Sequence, residues 1–318
     1  MAACRMSDTY HQHIPVLLHE AILPLVQSPS GIYIDATFGR GSHSKAILDR
    51  LNADGQLIAF DKDLEAVQYA KNQLAHDKRF SIHHASFTHL QSVLTTLQLD
   101  GQISGILFDL GVSSPQLDNP ARGFSFSKSG ALDMRMDTTQ GIDAMTWLAN
   151  VDEKALADVL WQYGEEKFSR RIARAIVETR KTTPITTTDA LAGIIRRAMP
   201  RMKKQEKHPA TRSFQAIRIA VNQELQELEE ALSQSLEVLS IGGRLAVISF
   251  HSLEDRIVKQ FIQLHEKGRA LPRGLPIKAT HFQSRLKAIG KPIKPGEQEV
   301  NINPRARSAI LRIAEKQS

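Results

Sequence analysis

The pattern of apolar and polar positions predicts alternating strands and helices over the first 110 residues. Short apolar runs bounded by turn residues predict four strands, at 32–34, 56–60, 80–84 and 105–108. Apolar residues spaced three or four apart predict helices between them, at 42–50 and 64–74. Strands that alternate with helices in this way are typical of an open α/β fold with a largely parallel sheet.

This alternation stops near residue 117. Helical patterns follow one another at 151–163, 168–180 and 190–199, with no strand pattern between them. We therefore predict a helical insertion at 117–207 within a discontinuous α/β domain formed by 13–116 and 208–318. Residues 1–12 are predicted to be a flexible leader.

After the insertion, apolar residues recur every three or four positions from Phe214 to Leu239, which predicts one long amphipathic helix. Gly242 and Gly243 are expected to end it. A strand at 244–250, a helix at 256–267 and a last strand at 308–313 complete the predicted sheet domain.

Three predicted strands end in an aspartate: Asp35, Asp61 and Asp109. In open parallel sheets the ligand lies beyond the carboxyl ends of the strands, so we expect these acids to converge. Asp61 follows the second strand, where such folds place an acid on a ribose hydroxyl. A helix N-cap is the structural alternative, although Asp63 can supply that cap by itself.

A glycine loop at 39–41 follows the first strand and suits close approach of the backbone to a nucleotide-like ligand. Two ligands fit this pattern, a dinucleotide and S-adenosylmethionine. Serine at position 44 replaces the third glycine of Gly-x-Gly-x-x-Gly. This replacement disfavours the dinucleotide, and with it an NAD-dependent oxidoreductase.

Charge and cysteine content narrow the class of protein. The 318 residues include 41 Lys and Arg against 34 Asp and Glu, and a net charge of +7 favours a polyanionic partner such as nucleic acid. Cys4 is the single cysteine, which excludes an intramolecular disulfide and fits a reducing compartment. Because no signal peptide or membrane-length apolar run is visible, we expect a cytoplasmic protein without a membrane partner. The sequence indicates no metal cluster and leaves a homodimer open.

Longer strings carry a specific resemblance. They are Asp35-Ala-Thr-Phe-Gly-Arg-Gly-Ser-His-Ser, Asp109-Leu-Gly-Val-Ser-Ser-Pro-Gln-Leu-Asp, Arg122-Gly-Phe-Ser-Phe, Leu132-Asp-Met-Arg-Met-Asp, His208-Pro-Ala-Thr-Arg, Ser249-Phe-His-Ser-Leu-Glu-Asp-Arg and Asn303-Pro-Arg-Ala-Arg-Ser. These strings resemble the signatures of one bacterial family, the ribosomal RNA small subunit methyltransferase H family, also called MraW. The resemblance runs from about His13 to Glu315.

The resemblance implies a Rossmann-like class I S-adenosylmethionine-dependent methyltransferase domain, interrupted by a helical substrate-recognition domain. It implies methylation of the N4 amino group of a decoding-centre cytidine in 16S rRNA of the small ribosomal subunit. Ser42 stands where the family usually has glycine. Carried over residue by residue, the family's cofactor contacts fall on Gly41, Ser42, His43, Asp61, Phe87, Asp109 and Gln116.

The implied chemistry sets further expectations. The lone pair of cytosine N4 is delocalised into the ring, so the enzyme must accept hydrogen bonds from the amine and align it with the methyl group. Asp109 is the candidate catalytic residue, and no general base can be named. Phe124 or Phe126 is expected to stack on the base. Basic residues of the insertion are expected to contact RNA, foremost Arg170, Arg171 and Arg174.

Two alternatives concern the type of activity. Methylation at cytosine C5 requires a cysteine nucleophile, and Cys4 in the leader is badly placed for that role. A non-catalytic RNA-binding assembly factor that keeps the cofactor fold as a scaffold stays open on the sequence. Cofactor binding with RNA-dependent turnover would exclude that factor.

Overall fold

The computed structural model describes residues 15–200, 208–267 and 283–318. The predicted leader, Cys4 and the basic residues at 201–207 lie outside these ranges. Within the described ranges, no helix is both long enough and apolar enough to cross a membrane.

A seven-stranded sheet forms the centre of the molecule, in the order β3-β2-β1-β4-β5-β7-β6. The first five strands are parallel, and β7 runs antiparallel to both β5 and β6. The order 3-2-1-4-5 is that of a doubly wound sheet, which confirms the predicted α/β class. The strands are β1 Ile32–Asp35, β2 Gln56–Asp61, β3 Phe80–His84, β4 Ile103–Asp109, β5 Leu239–Ser249, β6 Leu286–Ala288 and β7 Ile310–Lys316.

Helices cover both faces of the sheet and build the insertion. In chain order, the α-helices of the described residues are α1 Leu18–Leu25, α2 Ser42–Leu48, α3 Leu64–Leu74, α4 Leu90–Thr96, α5 Ser114–Asp118, α6 Ala144–Asn150, α7 Glu153–Gly164, α8 Ser169–Arg180, α9 Thr188–Ala198, α10 Thr211–Asn222, α11 Glu224–Val238, α12 Ser252–Lys267 and α13 Glu297–Ile302. The predicted bounds of the helix at 64–74 and the strand at 80–84 are confirmed.

Alternation of side chains along the strands creates two sheet cores. On β4, Ile106 and Phe108 face one side, where they join a cluster with α4, α11 and α12. Leu107 between them faces the other side and packs with α1 and α2. Because successive strand residues point to opposite faces, an almost continuous apolar run is what a sheet covered on both sides requires.

The insertion has its own apolar core, and this core extends further along the chain than predicted. Phe214 and Ile217 of α10 are buried within it together with Leu160 of α7 and Ile172 of α8. The helical core therefore includes α10, which follows the predicted boundary at residue 207.

The single helix predicted from Phe214 to Leu239 is wrong. Gln223, with φ 53°, separates α10 from α11. The apolar spacing continues across the break because both helices are amphipathic and one residue lies between them. Gly242 and Gly243 do not end α11 but lie inside β5. A Cβ atom at Gly243 would come within 2.7 Å of the Ile103 carbonyl oxygen, so close strand contact explains that glycine.

Candidate active site

A deep pocket opens at the carboxyl ends of β1, β2 and β4, the edge predicted from the strand-ending acids. It encloses roughly 1250 Å³ of space including its open mouth. We call it the sheet-edge pocket. Its walls come from the glycine loop, the turn after β4, the start of α11 and two distant segments around Phe250 and Arg305.

The glycine loop lies against this pocket and depends on its glycines. Gly41 has φ 71°, and a Cβ atom there would come within 2.5 Å of the Phe38 ring. The Gly39 amide donates a hydrogen bond of 2.8 Å to Asp61 Oδ2. The loop is therefore tied to the end of β2, and Gly41, Ser42 and His43 all line the pocket.

Asp61 lines the pocket as predicted, and the neighbouring Asp63 provides the N-cap of the following helix. Asp63 caps α3 by accepting a hydrogen bond from the Glu65 amide at 3.0 Å. Asp61 accepts from the amides of Gly39 and Asp63, both at 2.8 Å. Burial raises the pKa of Asp61 to about 6 despite these hydrogen bonds.

Asp35 lies near the other two acids, since its charge raises the pKa of Asp61 and the charge of Asp109 raises the pKa of Asp35, but it does not line the pocket. Its carboxylate accepts a 2.6 Å hydrogen bond from Ser44 Oγ and a 3.2 Å hydrogen bond from the Thr37 amide. Asp35 thus anchors α2 to β1. The serine that departs from the Gly-x-Gly-x-x-Gly pattern is its partner.

Asp109 and His43 meet on the pocket floor. His43 Nε2 donates to the Val16 carbonyl at 3.1 Å, because a carbonyl oxygen can only accept, and this leaves the Nδ1 lone pair facing Asp109 Oδ2 at 3.5 Å. Burial, together with the charge of Glu254, raises the pKa of Asp109 to about 7. Burial also lowers the pKa of His43. A protonated Asp109 can donate to this nitrogen.

Glu254 is a buried neighbour of Asp109 that the sequence reasoning missed. Its Oε2 accepts from the amides of Phe250 at 2.8 Å and His251 at 3.2 Å, while the Glu254 amide donates to His251 Nδ1 at 3.4 Å. This is a capping box with histidine in the serine position, and it explains why α12 begins at Ser252 rather than at the predicted 256. Burial opposes ionisation of Glu254, but His251 and Arg218 outweigh it and lower the pKa of Glu254.

Glu224, His251 and Glu254 bring candidate ligand atoms within 4.8 Å of one another, a cluster that the sequence did not reveal. Arg218 donates to both carboxylate oxygens of Glu224, at 2.8 and 2.9 Å. A guanidinium therefore already supplies positive charge to this group, and we assign the cluster a structural role.

Phe87 and Gln116 both line the pocket. The Phe87 ring meets Phe108 edge-on, with centroids 5.5 Å apart, so it forms a wall continuous with the sheet core. Gln116 accepts from the Ser113 amide at 2.9 Å and donates to Asp63 Oδ2 at 2.7 Å. Gln116 thus holds the turn after β4 against the cap of α3.

Arg122 links the insertion to the sheet domain at this same point, a contact that the sequence did not reveal. Its guanidinium is buried and donates to Asp63 Oδ2 at 2.7 Å and to the Met136 carbonyl at 2.9 Å. Asn222 of α10 accepts from the Met136 amide at 2.7 Å. Two braces therefore hold Met136 of the insertion in the pocket wall.

The two candidate stacking residues differ in exposure. Phe124 is 7% exposed in the core of the insertion, and this burial removes it as a base-stacking residue. Phe126 is partly buried, lies 4.5 Å from the His208 ring in a stacked arrangement and meets Phe214 edge-on. Phe126 therefore remains the candidate for stacking on the base.

The three arginines of α8 named from the sequence, Arg170, Arg171 and Arg174, are all exposed. Arg171 and Arg174 line a surface groove together with Arg197 of α9. Arg174 lies 3.6 Å from Glu153, but this pair is largely exposed and contributes little. We call Arg170, Arg171 and Arg174 the α8 arginines.

Comparison with known proteins assigns the chain to a family. Residues 10–317 match the MraW methylase family. The chain belongs to this family. Three relatives carry the name ribosomal RNA small subunit methyltransferase H: those of Pseudoalteromonas atlantica, 54% identical over 97% of this chain and 99% of the relative, Legionella pneumophila strain Paris, 55% over 96% and 99%, and Coxiella burnetii, 53% over 96% and 99%.

The protein is therefore a methyltransferase with a Rossmann-like fold, and S-adenosylmethionine is its cofactor. The pocket residues fit that molecule. Asp109 Oδ1 is buried and has no hydrogen-bond partner within the described residues. A hydrogen-bond donor on a bound ligand, such as the amino group of the cofactor's methionine portion, would satisfy this oxygen.

Proposed function

We propose that this protein methylates the N4 amino group of a decoding-centre cytidine in 16S rRNA, within the small ribosomal subunit and in the cytoplasm. The relatives' names include the small-subunit rRNA, and the net charge of +7 suits a polyanionic substrate. The observation that carries the proposal is a pocket at the carboxyl ends of the strands, lined by Asp61 and Asp109, whose wall includes Met136 from a helical insertion with exposed arginines.

We assign the cofactor to a path along the pocket. Asp61 accepts the ribose hydroxyls, and Phe87 packs near the adenine. Gly41, Ser42, His43 and Asp109 receive the methionine portion, and Gln116 holds the turn that borders it. The bound cofactor supplies an electrophilic methyl group. The protein's task is then to place an amine in line with it.

The turn at 109–114 and Phe250 line the pocket together, and we assign the entry of the acceptor base to this side. Cytosine N4 becomes nucleophilic only when its hydrogens are accepted and its lone pair leaves conjugation with the ring. Asp109 could accept one of these hydrogens, or it could hold the cofactor's amino group. We favour the cofactor role because Asp109 faces His43. His43 also lies on the pocket floor and follows the glycine loop.

We assign RNA contact to the insertion. The α8 arginines with Arg197 present positive charge to the backbone phosphates, and such contacts add affinity that falls steeply with salt. Phe126 is the candidate for stacking on an unpaired base.

The direct test is a methylation assay with mapping of the product. The protein is incubated with S-adenosylmethionine carrying a labelled methyl group and 30S subunits that lack this modification, and the RNA is digested to nucleosides for mass spectrometry. We expect label in N4-methylcytidine at one site. Label at C5, or stoichiometric cofactor binding without turnover, would contradict the proposal.

A further inference from the structure

Arg305 stands at the mouth of the sheet-edge pocket, although it comes from the far end of the chain. It lies on a 3-10 turn, Pro304–Ser308, between α13 and β7. Asn303 and Arg305 both line the pocket. Ala306 of this turn is fully buried, and the Arg305 amide donates to Asn303 Oδ1 at 3.2 Å. The backbone is therefore anchored while the arginine side chain extends outward.

The Arg305 side chain has one ionic partner within the described residues. Its Nη2 donates to Asp118 Oδ1 at 2.6 Å, and the two side chains are 47% and 57% exposed. A single-contact pair in solvent is screened and contributes little, so a better anion can replace it. Asp118 is the last residue of α5, which directly follows the turn bordering Asp109. The pair thus joins Arg305 of the pocket wall to the exposed end of α5.

Resting on the proposed function, we propose that Arg305 binds a backbone phosphate of the nucleotide presented for methylation and exchanges Asp118 for it. A base taken out of its stack brings its phosphodiester behind it, to the mouth of the pocket. The guanidinium fork matches phosphate oxygens in a two-contact geometry that its present bond to Asp118 does not use.

The cofactor's carboxylate is the competing anion, and position separates the two. The groups assigned to the methionine portion, His43 and Asp109, lie on the pocket floor with side-chain exposures of 6% and 20%. Arg305 instead pairs with the exposed end of α5. We therefore assign Arg305 to the RNA.

The experiment compares Arg305→Gln with Arg307→Gln, an exposed arginine on the same turn that is not part of the pocket wall. Cofactor affinity is measured by calorimetry, and KM and kcat are measured with unmethylated 30S subunits. We expect Arg305→Gln to raise KM for the subunit about tenfold, because the phosphate loses its charge-assisted contacts with the guanidinium, with cofactor affinity unchanged. Arg307→Gln should leave both near wild type, and Arg305→Lys should fall between.

Asp118→Asn supplies a result of opposite sign. Removing the competing carboxylate should lower KM for the subunit about twofold, and it should have no effect once Arg305 is Gln, because the two residues then no longer interact. Weakened cofactor binding in Arg305→Gln with unchanged subunit KM would overturn the proposal in favour of the carboxylate. Equal effects of the two arginine variants would also overturn it. Absence of N4-methylcytidine with wild-type protein would instead refute the proposed function.

Discussion

Replacing Asp109 by Asn separates the contribution of this residue to stability from its contribution to cofactor binding. Asp109 sits on the pocket floor, where burial and the Glu254 carboxylate raise its pKa to about 7. Asparagine has nearly the same shape as the protonated acid and carries no charge. Its side-chain amide can also donate to His43 Nδ1, which faces Asp109 at 3.5 Å.

The pKa difference fixes the sign and the upper limit of the stability effect. Asp109 binds its proton more tightly in the folded protein than in the unfolded chain, where the ordinary value is 3.8. The stability that it contributes at low pH is therefore lost as the pH rises from about 4 through about 7. A pKa difference of about 3 corresponds to about 4 kcal/mol at most. Because the side chain is 20% exposed, we expect about half of that.

We therefore expect cofactor-free Asp109→Asn to be more stable than wild type at pH 8 by about 2 kcal/mol, with a melting temperature about 4 °C higher. The advantage should shrink as the pH falls toward 4.5. Thermal unfolding followed by circular dichroism across this range measures it. Asp54→Asn, at an exposed turn, is the matched control and should show no such trend.

Cofactor binding should change in the opposite direction. Loss of a charged acceptor for the cofactor's amino group costs about 1.5–3 kcal/mol, or roughly ten- to a hundredfold in affinity by calorimetry. If Asp109 instead serves the transition state, turnover falls by about 10²–10³ and affinity holds. A variant with wild-type affinity and turnover, and no stability gain at pH 8, would refute the reasoning about this residue.

Three further variants test other parts of the site. Asp61→Ala should weaken S-adenosylmethionine binding by about tenfold or more, since the ribose hydroxyls lose a charged acceptor, and unchanged affinity by calorimetry in a folded variant would remove Asp61 from the site. Arg122→Met leaves the buried Asp63 carboxylate without its cation and should cost about 3–5 kcal/mol in urea unfolding, with a loss below about 1 kcal/mol counting against the brace. Changing all three α8 arginines to Gln should weaken subunit binding and flatten its salt dependence while cofactor affinity holds; an unaltered salt slope would mean that these residues are only solvated.

The strands and helices of the sheet domain were predicted well because they depend on the apolar pattern of neighbouring residues. The bounds at 64–74 and 80–84 are confirmed, and the strand-ending positions of Asp61 and Asp109 place both acids in the pocket wall. Asp35 lies near both acids but does not line the pocket, because it accepts a hydrogen bond from a hydroxyl nine residues away, that of Ser44. Position at a strand end indicates where an acid lies, but its hydrogen-bond partners decide whether it faces the ligand.

The residues missed from sequence act through contacts between distant segments. Glu254 reaches Asp109 from the helix after β5, and Arg305 meets Asp118 across most of the chain. No periodicity encodes such pairs. The sequence did contain one signal for these residues. Arg122, Glu254 and Arg305 all lie in strings that carry the family resemblance, but the resemblance assigned them no role. The break at Gln223 was not predicted for another reason: two consecutive helices can share one apolar spacing.

The placement of the insertion has a consequence for how the chain folds. Asp109 of β4 pairs with Ile248 of β5, and the whole insertion lies between them in the chain. The central strand pair of the sheet therefore closes a very long loop, which is the slowest type of contact to form. The insertion, whose helices contact one another locally and have their own core, can fold before this pairing and bring the two strands close. A chain arrested before β5 would hold a folded insertion beside an incomplete sheet.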